Sequence, residues 1–284
     1  MRIFLTGATG VIGRRVVPLL LSGGHEVTAV ARTATKRAAL ERVGAKAVNV
    51  DLFDVAQVHA ATADHDLVIN LATHVPGSMM AVMRRGAWAE NDRIRRDASA
   101  ILSMSSNRFI QESFAVYADG GDRWLDEQAP VAPVPYNRSL LDAERSGAKG
   151  VVLRFAWFYG DDSPFTMQMA NIAKKNWSPI PGSPDAFFSS VSHDDAASAV
   201  VAALKVPNGI YNVTDDEPLT RRDYVLALGA RSPRFAPAWT ARLMGSMGEL
   251  MSRSVRMTNA KLKAASGWTP RFPSAREGLA FLHE

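Results

Sequence analysis

The chain contains no cysteine, which removes disulfides, thiolate zinc sites and a cysteine nucleophile from consideration. It also lacks any apolar run approaching the ~20 residues of a membrane span. Its first strand begins by residue 2 or 3, which leaves no room for a signal peptide; a cytoplasmic protein without a membrane partner is expected. Acidic residues are the scarcer sign, 28 against 33 Lys and Arg, for a net charge of +5. The basic residues are scattered, however, with pairs at Arg14-Arg15, Arg84-Arg85, Arg95-Arg96 and Arg221-Arg222 and neither a long tract nor an aromatic-interleaved patch. That pattern argues against nucleic acid and suits a general attraction for an anionic cofactor or substrate. No His/Asp/Glu group has metal-ligand spacing, so no metal is expected, and a Ser-His-Asp hydrolase would need a GxSxG elbow that is absent.

What is present is a 284-residue chain, 47% hydrophobic and 21% charged, long enough to bury one large core or a core with a smaller appended lobe. Its opening is its most informative stretch. Ile3, Phe4 and Leu5 read as a buried parallel strand that runs into Thr6-Gly7-Ala8-Thr9-Gly10-Val11-Ile12-Gly13 and then an apolar helical pattern from Val16. Strand, glycine turn and helix in that order fit a dinucleotide site. Gly7 permits the tight turn, Gly10 lets backbone approach a pyrophosphate, and Gly13 allows close packing, with phosphate at the helix N-terminus. A second apolar run, Glu26 to Ala31, is followed by Arg32 where an NAD-binding chain would place an acid. Arg32, with Lys36 and Arg37 close behind, suits a 2′-phosphate, so NADP(H) is the expected cofactor.

Farther on, the spacing predicts helices over Ala34 to Val43 and Val55 to Ala60, strands over Ala47 to Val50 and Asp66 to Leu71, and helical stretches over Met79 to Met83 and Trp88 to Met104. Strands alternating with helices imply an α/β, doubly wound parallel sheet. Pro18 inside the first helix predicts a kink or compensating burial. Asn70 to Pro76 leaves the sheet at the carboxyl end of a strand. Ala72 is small enough there to pass a cofactor, and His74 has the right pKa range for acid or base work. Trp239, Leu243, Met247, Leu250 and Met251 share one helical face, read as core or as a flap over an apolar substrate. Asp194 and Asp195 are explained by helix capping and the macrodipole.

These pieces resemble the short-chain dehydrogenase/reductase superfamily in its extended or atypical branch. The TGxxGxxG turn carries the likeness, with Arg32 after the second strand and Asp51-Leu52 after the third. RFIQESFAVY (108–117) is similar to the fifth strand with its serine, VVLRFAWFYG (151–160) to the sixth, VSHDDAASAVVAAL (191–204) to the segment after it, and GWTP (267–270) to the C-terminal signature. The resemblance implies a Rossmann-like NADP-binding domain, residues 1–160 and 186–213, with a small discontinuous substrate lobe, residues 161–185 and 214–284. It implies cofactor contacts from Thr6, Gly7, Thr9, Gly10, Val11, Ile12, Gly13, Arg32, Lys36, Asp51, Leu52, Leu71, Ala72 and Thr73.

For chemistry the superfamily uses Ser, Tyr and Lys in a YxxxK arrangement. Ser113 would polarise a carbonyl, and Tyr136 resembles the catalytic tyrosine at the head of its helix. Position 140, where the lysine belongs, is Leu140. Forming a tyrosine anion at neutral pH then costs on the order of 4 kcal/mol unaided. Three readings follow: an oxidoreductase in which Tyr136 or His74 supplies the proton, a sugar-nucleotide epimerase or dehydratase, and a non-catalytic NADP(H)-binding redox sensor. Aromatic and sulfur residues crowd the expected lobe and its approach, among them Trp157, Phe158, Phe165, Met167, Met169, Phe187, Phe188 and Trp239. They favour a small apolar or aromatic carbonyl or alcohol substrate over a sugar nucleotide, although Arg221, Arg222 and Arg256 are available to a diphosphate. A monomer or a homodimer is compatible with this sequence.

Overall fold

Seven parallel strands form the centre of the computed structural model, which describes residues 1–76 and 84–283. In chain order they are β1 (Arg2–Thr6), β2 (Glu26–Val30), β3 (Lys46–Val48), β4 (Leu67–Asn70), β5 (Phe109–Phe114), β6 (Val151–Phe155) and β7 (Gly209–Val213). Across the sheet the order is β7-β6-β5-β4-β1-β2-β3, every neighbouring pair parallel. The winding direction reverses between β1 and β4, so a crevice opens there beyond the carboxyl ends of the strands. The helices used below are α1 (Gly13–Ser22), α2 (Ala34–Arg42), α3 (Val55–Thr62), α4, α5 (Ser139–Ser146), α6 (Pro164–Ala173), α7 (His193–Ala202), α8 (Arg221–Ala227) and α9 (Gly245–Ser252). α4 combines Ala89–Arg93, a π-helical turn at Ile94–Ala98, and Ser99–Met104.

Both faces of the sheet are buried, as a covered parallel sheet requires. Ile3, Leu5, Ala29 and Ile69 pack with Val16, Val17, Leu20, Ala196 and Val200 of α1 and α7. Phe4, Val30 and Val68 face the other way onto Val58 of α3 and Leu102 of α4. Each large side chain so buried contributes ~1.5–3 kcal/mol. A separate apolar cluster draws Tyr159, Met169, Ile180, Phe188, Leu219, Tyr224 and Leu279 from discontinuous stretches. Met257, Leu262 and Trp268 return to the main core, and the Trp268 indole donates to Ser198 Oγ at 2.8 Å.

Several local expectations shift. α1 runs through Pro18 without a break, and Pro18 is exposed, so burial is not what compensates it. The sixth strand stops at Phe155. Trp157–Tyr159 leaves the sheet and pairs in parallel with Ser190–Ser192, which turns the chain toward the second cluster. The Trp239 to Met251 stripe is split at Gly245 (φ +60°) into a 3₁₀ stretch, Ala238–Met244, and α9. Met247 and Met251 are buried there, whereas Trp239 and Leu243 are 61% and 77% exposed. The helix expected over Met79 to Met83 lies outside the described residues.

Candidate active site

Thr6 ends β1 and the chain turns at Gly7 with φ +71°. A Cβ on Gly7 would collide with the Leu71 carbonyl and lie 2.7 Å from the Ala72 nitrogen. The turn is thus pressed against the end of β4, where only glycine fits. A Cβ on Gly13 would meet the Gly7 carbonyl and sit 2.7 Å from Ala8 Cα, so Gly13 lets α1 close down on the turn itself. Gly10 donates its N–H to the Gly7 carbonyl at 2.9 Å. Among the described residues, the N–H groups of Val11, Ile12 and Gly13 meet no acceptor, and Ile12 caps α1 without a side-chain bond. Unpaired donors at the head of a ten-residue helix, beside a backbone cleared by glycine, fit a dinucleotide pyrophosphate.

Asn70 holds this corner together, and sequence reasoning passed it over. Its Oδ1 accepts from Thr6 Oγ1 (2.6 Å) and the Ala72 N–H (3.2 Å), while its Nδ2 donates to Ser99 Oγ (3.1 Å) and Gln111 Oε1 (2.9 Å). One wholly buried amide thereby joins β1, the loop after β4, α4 and β5. Its signal was an asparagine inside the apolar run Asp66 to Leu71.

At the adenosine end Arg32 is exposed beyond β2. Arg37 donates to the carbonyls of Ala31 (3.4 Å) and Arg32 (3.2 Å), and Lys36 is exposed on the first turn of α2, its N–H on the Thr33 hydroxyl. Asp51 accepts from the Phe53 N–H at 3.0 Å, and the Arg93 guanidinium lies 3.6 Å above the Phe53 ring. Leu71 is buried, Ala72 half-buried and Thr73 exposed at the crevice mouth.

The expected catalytic groups stand on three separate elements. His74 is exposed, with its backbone N–H on Asn91 Oδ1 at 3.0 Å. Tyr136 is half-buried and stands in the turn before α5, which begins only at Ser139; its ring is tilted against Trp88 with centroids 6.4 Å apart. Ser113 lies on β5 with no exposed surface, and its hydroxyl donates to Glu144 Oε1 at 2.8 Å. As folded, that proton does not face the crevice. Glu144 in turn binds Arg154 through two bonds, 2.8 and 2.7 Å, and Arg154 donates to the Tyr117 hydroxyl at 3.2 Å. Burial pushes the Tyr117 hydroxyl up to about 12 despite the facing guanidinium. Glu112, next along β5, is paired with Arg95 on both oxygens, yet burial still raises its pKa. Leu140 is 2% exposed, part of the packing of α5.

At the carboxyl edge, aromatic rings form a wall. Phe114 meets Trp157 edge-on at 4.9 Å, Trp157 stacks on Phe188 at 5.6 Å, and Phe188 meets Tyr224 at 4.8 Å. Arg256 lies between Trp124 (4.2 Å) and Phe187 (4.5 Å). Of the arginines that the sequence offered to a diphosphate, Arg221 is not accessible: it has no exposed surface and donates to the carbonyls of Met251 and Arg253 at 2.7 and 2.5 Å. Burial pushes its pKa down to about 10. It serves the fold. Asp195 likewise does more than cap α7, accepting the N–H groups of Arg271 and Phe272.

A family model described as NAD(P)H-binding matches residues 7–207. A Streptomyces protein, 3-diazoavenalumate denitrifying reductase, is 31% identical over 98% of this chain and 99% of its own. Among solved structures, human epimerase family protein SDR39U1 with NADPH superposes with a TM-score of 0.78 at 19% identity over 99% of both chains. Thermotoga maritima UDP-glucose 4-epimerase with UDP-glucose does so at 0.74 and 20% identity over 98% of this chain and 96% of that one; both speak for fold. With the glycine turn, the seven-stranded winding and this family match together, the chain belongs to the NAD(P)H-binding family, consistent with the short-chain dehydrogenase/reductase resemblance of its sequence.

Proposed function

We propose that this protein is an NADP(H)-dependent reductase of an aromatic substrate whose reduction needs no proton from the protein, and that the acceptor is an aryl diazo group. The observation that carries the reading is that Ser113, the hydroxyl expected to polarise a carbonyl, is turned to Glu144. A carbonyl accepting hydride becomes an alkoxide that must be protonated in the transition state. Here the Ser113 proton is given to Glu144, and Leu140 occupies the place of the lysine and is buried. A diazonium is already cationic. When bound, the reduced nicotinamide would supply a hydride equivalent, so that overall ArN₂⁺ and hydride become ArH and N₂ with no net proton drawn from the protein.

Such a step asks for an aromatic environment that can face a cation; Phe114 and Trp157, both half-buried, meet edge-on at the carboxyl end of the sheet, with Phe188 buried behind Trp157. The name of the Streptomyces relative points to the same chemistry. Arg32, with Lys36 nearby, is the 2′-phosphate ligand in this reading, with Asp51 and Leu52 beside the adenine and Leu71 to Thr73 along the cofactor. Tyr136 and His74, on the loops before α5 and after β4, are the groups that carbonyl reduction would need instead.

The test offers aryl diazonium salts, aromatic aldehydes and aromatic ketones with NADPH to the purified protein. NADPH oxidation matched by dinitrogen release from the diazonium is expected, with Tyr136→Phe within about threefold of the parent rate. Carbonyl turnover that falls ~10²-fold in Tyr136→Phe would replace this reading with acid-assisted reduction.

A further inference from the structure

Beside the glycine turn, charged side chains from three distant parts of the chain meet. Arg15, on the first turn of α1, donates from Nε to Asp194 at 2.6 Å and from Nη2 to Asp162 at 2.8 Å. Its Nη1 donates to the carbonyl of Val11 at 2.9 Å. Asp162 also pairs with Arg14 and bonds His193 Nδ1 at 3.0 Å. Burial opposes the Asp162 carboxylate, but its bonds to Arg15 and His193 and the charges of Arg15 and Arg14 outweigh that and hold its pKa low.

In a trans peptide the carbonyl and the following N–H point in opposite directions, and none of the described peptide bonds is cis. With the Val11 oxygen turned to Arg15, the Ile12 N–H points away from Arg15, and no acceptor among the described residues takes it. We propose that Arg15, clamped by Asp162 and Asp194, is the positioning residue of the pyrophosphate site: it fixes the 11–12 peptide so that the Ile12 N–H is aimed before the cofactor arrives. A donor already oriented spares the ordering cost on binding. Arg15 is 18% exposed and therefore better fixed than an ordinary surface arginine. The clamp has a further consequence. Asp162 stands just beyond Gly160, where the chain departs for the second apolar cluster, and Asp194 opens α7, so the cofactor turn is tied to both.

This inference rests on the NADP(H) reading, and the experiment separates the two. Dissociation constants for NADPH and for 2′-AMP, which has the 2′-phosphate but no pyrophosphate, are measured by calorimetric titration on the parent, Arg15→Met, Arg15→Lys and Asp162→Asn, with thermal midpoints as a check on folding. Arg15→Met is expected to weaken NADPH about tenfold while 2′-AMP stays within about twofold. Arg15→Lys, which can reach the Val11 carbonyl without bridging both carboxylates, should recover part of the loss, and Asp162→Asn should match or fall below it. NADPH affinity unchanged in Arg15→Met, or equal losses for both ligands, would overturn the positioning role while leaving the cofactor assignment standing. A parent protein that takes up no NADPH would remove both.

Discussion

Among the described residues no carboxylate pairs with Arg32, and the neighbouring Arg37 guanidinium is turned onto the carbonyls of Ala31 and Arg32. A guanidinium so placed gains most from a ligand that brings a phosphate, since charge-assisted bonds contribute roughly 1.5–3 kcal/mol. Arg32→Ala is therefore expected to weaken NADPH by about 10- to 100-fold and NADH by little, read from paired binding titrations. Equal losses would move the 2′-phosphate elsewhere. Arg15 should behave in the opposite way, with a variant that costs both nucleotides alike, because both carry the pyrophosphate. The contrast between these two arginines tests the cofactor site atom by atom.

A buried ion pair bridges β5, β6 and α5. Glu144 on α5 receives two bonds from Arg154 on β6 and one from Ser113 on β5, with the two charged side chains only 9% and 6% exposed. Removing one partner of such a pair strands the other in a dry site at a cost of ~3–5 kcal/mol. Losing the neutral hydroxyl costs about 1 kcal/mol. Glu144→Ala should therefore lower the urea midpoint far more than Ser113→Ala, and equal shifts would show that the three groups do not act as described. That Ser113 serves this joint was not legible in its motif. β5 is buried on both faces, so its residues lack the inside–outside alternation that tells which way a side chain points. The helix that the spacing around Tyr136 suggested starts three residues later, after a turn.

Where the second apolar cluster meets the sheet, Asp215 is almost wholly buried, with Tyr159 and Ser190 donating to one carboxylate oxygen and the other oxygen unpaired among the described residues. Burial raises its pKa well above the ordinary carboxylate value, the two hydroxyls offsetting only part of this, with nearby Asp195 adding to the rise. The folded chain then holds the proton more tightly than the unfolded chain. The stabilisation from this group is complete below the ordinary carboxylate pKa and is lost as pH climbs through the raised folded value. Asp215→Asn, which keeps an acceptor for both hydroxyls, should raise the thermal midpoint in mildly alkaline buffer, leave it nearly unchanged in acid, and flatten the dependence between. A variant that loses stability equally at both ends would show that Asp215 is needed as a carboxyl group.

The order of strands and helices, the glycine turn and the basic residue after β2 were written locally, because hydrophobic spacing and glycine placement act over a few residues and depend little on what lies across the fold. Asn70 joining four segments, Ser113 turned to Glu144, Arg221 sealed among carbonyls, and Arg15 reaching Asp162 on a segment nearly 150 residues away were decided only when the chain closed on itself. Their reason is common: a buried polar group must find a partner or forfeit its solvation, and which partner is within reach is a property of the assembled layers, not of neighbours in sequence.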